Sequence, residues 1–321
     1  FAPFSYHRQA YLFDMGTLQP LSPRNLLKIS HVFVTHTHMD HFIGFDQLLR
    51  VVLGRDKIVH FFGPEGFIAN VEGKLAGYTW NLVNNYTNPL VLNVTEVGGM
   101  YRTEKSLACH RRFQAVAEDV RQCTDSPVIL HEDGTHQVTA AILDHGLPCL
   151  GFSLTEKYRI NIRKDSLSRL GLSAGPWLHQ FKQAVDEGHD PETEIKVPST
   201  KAKSGVQTFR FGDLADQLAI KSSGQKMSYI ADVAYTRANV EKIRRLAGGC
   251  DHLFIEAAFL DADREHAMEK KHLTARQAGR IAGLVNAGRF TLFHFSPRYE
   301  QTEAAFYREA RQAYAEVTEG G

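Results

Sequence analysis

The chain has 321 residues, 43% of them apolar, and its 37 Lys and Arg set against 36 Asp and Glu leave a formal charge of +1. That length can bury a sizeable core, and the charge balance excludes a general nucleic-acid binder coated in basic residues, so positive charge for such a partner must be concentrated locally. No apolar run approaches the roughly 18 residues of a membrane span, no charged-then-apolar leader opens the sequence given, and Cys109, Cys123, Cys149 and Cys250 are scattered, so a cytoplasmic protein with reduced thiols and no membrane partner is expected.

In chain order, residues 10 to 16, Ala-Tyr-Leu-Phe-Asp-Met-Gly, predict a short strand ending at Asp14, and Ile29 to Thr35 a strand running into His36. Phe42 to Leu53 reads as a helix, Ile58 to Phe62 as a strand stopped by Gly63-Pro64, Gly66 to Leu75 as a helix and Leu90 to Val97 as a strand. Residues 101 to 126 show no clear period. Strands follow at Val128 to Leu130 and Gln137 to Leu143, broken by Asp144-His145-Gly146 and resumed at Gly151-Phe152-Ser153. Asp186 to Gly205 is polar, aperiodic and proline-bearing, which predicts a mobile loop. Met227 to Ile230 is a strand leading to Asp232, Val240 to Leu246 a helix, Leu253 to Glu256 a strand, Thr274 to Asn286 a helix, Phe290 to Phe293 a strand leading to His294, and Thr302 to Val317 the last helix. Two runs of mixed strand and helix, with polar groups at strand ends, predict an α/β protein built as an αββα sandwich.

Sixteen histidines is the unusual total, since neutral imidazole is the commonest ligand of zinc-like ions. In Thr35-His36-Thr37-His38-Met39-Asp40-His41, alternate His36 and His38 can point the same way, and Asp40 and His41 follow at once for a second centre. A polar loop capping strand ends would account for one histidine, but not for four candidate ligands in six residues. His145, Asp232 and His294 recur at later strand ends, where rigid elements position active-site groups. The competing reading makes each structural, with Asp232 capping the following helix.

This string resembles the His-x-His-x-Asp-His motif of the metallo-β-lactamase superfamily, and the chain looks most like its ribonuclease Z family, the tRNA 3′-processing endonucleases. The resemblance covers nearly the whole chain, from Leu12-Phe13-Asp14-Met15-Gly16 through Leu143-Asp144-His145, Phe254-Ile255-Glu256-Ala257-Ala258-Phe259 and His272-Leu273-Thr274 to His294-Phe295-Ser296-Pro297-Arg298-Tyr299. It implies two divalent metal ions, zinc first with manganese or iron also fitting, one held by His36, His38 and His145, the other by Asp40, His41 and His294, and Asp232 bridging. It further implies that Asp40 orients the attacking hydroxide, that His272 protonates the departing sugar oxygen with Glu256 orienting it, and that Ser296 and Arg298 contact phosphate.

Leu167 to Trp177 with Phe181-Lys182 resembles the Gly-Pro segment of the family's projecting arm, here 156–185 within a single domain 1–321, so Gly175, Pro176 and Lys182 are expected substrate contacts. A helical hairpin packed on the core is the alternative. The family's His-Glu-Ala-Thr reads Ile255-Glu256-Ala257-Ala258 here and its Gly-Asp-Thr reads Ala231-Asp232-Val233. The implied activity is removal of 3′ trailers from precursor tRNA by a homodimeric endonuclease. The alternative is a related two-metal hydrolase of a small phosphodiester or other ester; a metal-free RNA-binding scaffold is disfavoured because all seven ligand positions are filled.

Overall fold

The structure, a computed structural model, describes residues 1–4, 9–123, 126–299 and 303–320. It divides into two compact units, the first comprising Phe1–Pro3, Gln9–Thr155 and Lys226–Gly321, the second Glu156–Gln225 with Phe4.

In the first unit a seven-stranded sheet runs in the order Ala2–Pro3, Ala10–Phe13, Ile29–Phe33, Lys57–Pro64, Leu90–Val97, Tyr101–Ala108, Gln114–Gln122. A six-stranded sheet runs Phe290–Phe293, His252–Glu256, Lys226–Ile230, Pro148–Glu156, His136–Asp144, Val128–Glu132. Aromatic rings knit the two together, with Phe152 lying 5.8 Å from Phe13 and 5.7 Å from Phe33 between ring centroids. Each sheet carries helices on its other face. Phe45, Leu48 and Val52 of helix Phe45–Val52 and Phe67, Val71 and Leu75 of helix Phe67–Ala76 join one core, while Ile243, Ala278, Ile281 and Phe306 of the later helices join the other. The four layers are the αββα sandwich expected from the alternation of elements.

The central strands of the first sheet, Ala10–Phe13, Ile29–Phe33, Lys57–Pro64 and Leu90–Val97, are mutually parallel. So are Lys226–Ile230, His252–Glu256 and Phe290–Phe293 in the second. Ligand-bearing loops of parallel sheets gather beyond the carboxyl ends of the strands, which is where 35–41, 232–235 and 294–298 emerge.

Several elements differ from expectation. The helix read as Phe42 to Leu53 is two, Met39–Phe42 and Phe45–Val52, parted at Gly44. A Cβ on Gly44 would sit 2.4 Å from the Gly16 carbonyl oxygen, and the Gly44 amide donates to the Met15 carbonyl at 2.7 Å, so the chain must bend there without a side chain. The aperiodic 101–126 holds a long hairpin, Tyr101–Ala108 with Gln114–Gln122. All nine residues of its second strand are exposed, so neither face carries an apolar alternation to read. The last helix is described as Glu303–Thr318; Thr302, its expected start, lies outside the described residues.

The second unit is larger than the expected arm. Tyr158–Ile162 pairs with Ala219–Ser223, and Glu194–Pro198 pairs with Val206–Arg210 inside and just beyond the segment read as a loop. Leu167, Leu172, Phe181, Val197, Phe211, Leu214 and Leu218 form its core, so residues 206–223 complete what 156–185 begins. The strand inside the polar stretch and its partner just beyond it escaped the sequence because both are short and mostly exposed.

Candidate metal centre

Strand Ile29–Phe33 is buried at every position and pins the histidine segment to the core. The Val34 amide donates to the Phe62 carbonyl at 2.8 Å, the Thr35 amide to Asp14 Oδ1 at 2.7 Å, and the Met15 amide to the His41 carbonyl at 2.7 Å. These bonds close the turn that folds His36, His38 and His41 together, with ring centroids 4.4 Å apart for His36–His38 and 4.3 Å for His36–His41. A Cβ on Gly16 would meet the Asp40 carbonyl oxygen at 2.5 Å, so the strand end and the motif pass too closely for any side chain there.

Asp232 lies at the centre, and its two oxygens face different partners. Oδ2 is 3.8 Å from His36 Nε2 and 3.7 Å from His145 Nε2, whereas Oδ1 is 3.5 Å from His41 Nε2 and 3.3 Å from His294 Nδ1. Asp40 Oδ2 stands 3.5 Å from His41 Nε2 and 3.3 Å from His294 Nε2. The seven expected ligands therefore fall into two groups that share Asp232, namely His36, His38, His145 and Asp232, then Asp40, His41 and His294. His294 adopts a left-handed backbone, φ 64°, which a non-glycine residue holds only where its surroundings enforce it.

Whether this cage fits a cation is decided by its own atoms. His36 Nε2, His41 Nε2, Asp232 Oδ1 and His294 Nδ1 are buried without a hydrogen-bond partner among the described residues, a costly state unless something positive sits between them. Their separations of 3.3 to 3.8 Å are too long for good hydrogen bonds but match donors spaced about 3.4 Å apart around an ion with bonds of about 2.1 Å. Imidazole nitrogen and carboxylate oxygen are the donors zinc accepts.

The opposite ring nitrogens are fixed by neighbours, which leaves the unpartnered ones aimed inward. His41 Nδ1 bonds Asp14 Oδ2 at 2.8 Å, His145 Nδ1 donates to the Lys271 carbonyl at 2.9 Å, and His36 Nδ1 faces the Thr35 hydroxyl at 3.1 Å. Such partners set the tautomer of a ligating histidine. Burial, with the charge of His41 beside it, pushes His36 down to about 3, so it stays neutral and able to ligate. Burial also favours neutral His41, but the hydrogen bond to Asp14 and the nearby carboxylate of Asp232 outweigh it and push the imidazole up to about 10. Asp232 is driven up by burial and down further by the adjacent His41 imidazole and the His294 charge, ending well below the usual carboxylate range. The centre is built for positive charge.

His272 sits beside it, with Nδ1 3.1 Å from Glu256 Oε2 and 4.0 Å from Asp232 Oδ2. It does not cap the helix Ala275–Leu284. Thr274 does so, through a reciprocal capping box with Gln277. Nor does Asp232 cap helix Arg237–Ala247, whose N-cap is Thr236. Glu256 is fully buried and also accepts the Val233 amide at 2.7 Å, so it is held as an acceptor for His272. Burial lowers His272 below its ordinary value although Asp232 and Asp40 oppose this.

Ser296 donates its amide to the Ala258 carbonyl at 3.0 Å. The Arg298 guanidinium lies over the Phe259 ring at 5.6 Å and 3.3 Å from His266 Nε2, so it is anchored rather than a loose surface charge. In the second unit Gly175 and Pro176 lead into helix Trp177–Asp186, which carries Lys182 half-buried, while Phe181 enters that unit's core. Sequence reasoning noted Asp14 only as a strand end and missed Thr35, Tyr229 and the Lys271 carbonyl as supports. The one available signal was an acid at the end of an apolar strand.

The description "Beta-lactamase superfamily domain" belongs to a family model that matches residues 180–295. Ribonuclease Z of Deinococcus radiodurans is 27% identical over 305 residues, spanning 94% of this chain and 87% of that one. Ribonuclease Z of Methanocaldococcus jannaschii is 26% identical over 311 residues, 94% and 81% of the two chains. Among solved structures, the short form of human tRNase Z superposes with a TM-score of 0.53 at 19% identity, covering 91% of this chain and 84% of that one. The four layers and the histidine–carboxylate centre define a metal-dependent hydrolase of the metallo-β-lactamase fold. Both ribonuclease Z relatives align over 94% of its length, so the likeness to that family runs through nearly the whole chain.

Proposed function

We propose that the chain is a two-metal phosphodiesterase that cuts precursor tRNA after the discriminator base, leaving a 3′-hydroxyl on the tRNA and a 5′-phosphate on the trailer. The observation that carries this is Asp232, whose two oxygens face two separate sets of histidines. His36, His38 and His145 would hold one ion, Asp40, His41 and His294 the other, with Asp232 between them. When bound, such a pair of divalent ions, zinc by donor type, lowers the pKa of water and neutralises a phosphodiester.

The chain's own groups do the rest. Asp40, with its side chain 64% exposed beside two histidines, orients the attacking water and accepts its proton at Oδ2. His272 gives a proton from Nε2 to the departing sugar 3′-oxygen, because Glu256 occupies its Nδ1 and leaves only Nε2 for the cleft. An anionic phosphodiester alongside favours the imidazolium that this step needs. Arg298 and Ser296 would bind flanking phosphate, and Gly175, Pro176 and Lys182 would contact the body of the tRNA.

End-labelled precursor tRNA, run beside bis(p-nitrophenyl) phosphate with chelator and with metal restored, tests this reading. A single cut at the discriminator base, lost on chelation and regained with zinc, is expected. Hydrolysis of the small diester alone would replace it with the narrower phosphodiesterase.

A further inference from the structure

Lys271 is placed by three constraints at once. It follows helix Arg264–Lys270 in a left-handed conformation, φ 62°, a position where glycine relieves strain. Its carbonyl accepts the Nδ1 proton of His145 at 2.9 Å. Its stem lies along the next loop, since a Cβ on Gly146 would be 3.7 Å from Lys271 Cγ. The residue is thus tied by backbone and side chain to the loop of one expected ligand, and by sequence to His272, whose ring is 4.8 Å from that of His145. The side chain is exposed, and no acceptor for its ammonium appears among the described residues. A strained lysine where glycine would be easier, with a free ammonium at the rim of an anion-processing centre, marks a functional side chain.

We propose that Lys271 binds a backbone phosphate adjacent to the scissile one, and so makes the site favour a polynucleotide over a small diester. The proposal rests on the phosphodiesterase reading above. A dinucleotide-sized or smaller substrate offers no second phosphate, whereas an RNA strand does, and each phosphate a lysine neutralises adds to affinity and to its salt dependence.

The test uses the full chain with Lys271→Gln, Lys271→Arg and Lys271→Gly, assayed on precursor tRNA and on bis(p-nitrophenyl) phosphate at about 50 to 200 mM salt. Lys271→Gln should raise KM for RNA about 3- to 10-fold and reduce the slope of log kcat/KM against log salt by about one, with metal content full. Lys271→Arg should restore both. Lys271→Gly should raise the melting temperature while weakening RNA cleavage as glutamine does, a split that a purely structural lysine would not produce. An unchanged salt slope in Lys271→Gln, or equal losses on both substrates, overturns the proposal by assigning the lysine to support of His145. A wild-type chain that leaves RNA uncut removes the phosphodiesterase reading itself, a result recognisable before any variant is compared.

Discussion

The Asp14 carboxylate accepts the Nδ1 proton of His41 at 2.8 Å, and the same oxygen takes the hydroxyls of Thr35 and Tyr229, each at 3.0 Å. Because the Thr35 oxygen in turn lies 3.1 Å from His36 Nδ1, one buried acid orients a histidine from each half of the centre. Asp14→Asn keeps the shape but replaces an acceptor-only oxygen with an amide that cannot receive every donor. Metal affinity should fall about 10- to 100-fold, as it does when outer partners of ligating histidines are changed. Competition with a chromogenic chelator measures it; unchanged affinity in both halves would leave Asp14 a packing residue.

Removing the shared carboxylate should affect both halves together. On the two-ion reading proposed above, Asp232→Ala is expected to reduce metal content from two ions per chain to one or none, and His294→Ala to lower it as well. Elemental analysis of the loaded protein reads this directly. Two ions retained in Asp232→Ala would show that the groups close without a bridge.

His272 and Thr274 stand two residues apart and should separate cleanly. His272→Ala should lower kcat on RNA by roughly 10²- to 10⁴-fold with metal content full, and affect bis(p-nitrophenyl) phosphate much less, because p-nitrophenolate leaves without a proton. Thr274→Ala should cost about 1 kcal/mol of stability through the lost cap and leave the ratio of the two activities unchanged. Parallel losses on both substrates in His272→Ala would take the histidine out of proton transfer.

Acid stability should depend on His31, which lies between the two sheets with its ring centroid 4.0 Å from that of His131 and 4.8 Å from that of His60. Burial first, then the charges of His131 and His60, push His31 down to about 3, with Asp133 opposing. The folded value is below the unfolded one, so the unfolded state binds the proton more readily as pH falls. The stabilisation is complete above about pH 6.5 and is lost progressively down to about pH 3, by up to about 1.4 kcal/mol per pH unit. Denaturant melts of His31→Phe, which keeps a ring beside Phe33 and Phe62, should show a shallower acid limb than the wild type between these pH values. Superimposable limbs would assign acid lability elsewhere.

The histidine segment was legible because four of its candidate ligands are contiguous and follow a strand buried at every residue, so local order alone brings them near one another. The alternation of strands and helices likewise determined the four-layer sandwich, since each element must bury one apolar face. What the sequence could not carry lies in contacts between distant strand ends. Tyr229 meets Asp14 across 215 positions, His145 meets the Lys271 carbonyl across 126, and Glu256 meets His272 across 16. No periodicity records such meetings. The exposed strand Gln114–Gln122 was silent for the opposite reason, having no buried face to impose a pattern. Whether His272 caps a helix or faces the centre, and how Asp232 divides its oxygens, were decided only when the parallel strands delivered their carboxyl ends to one place.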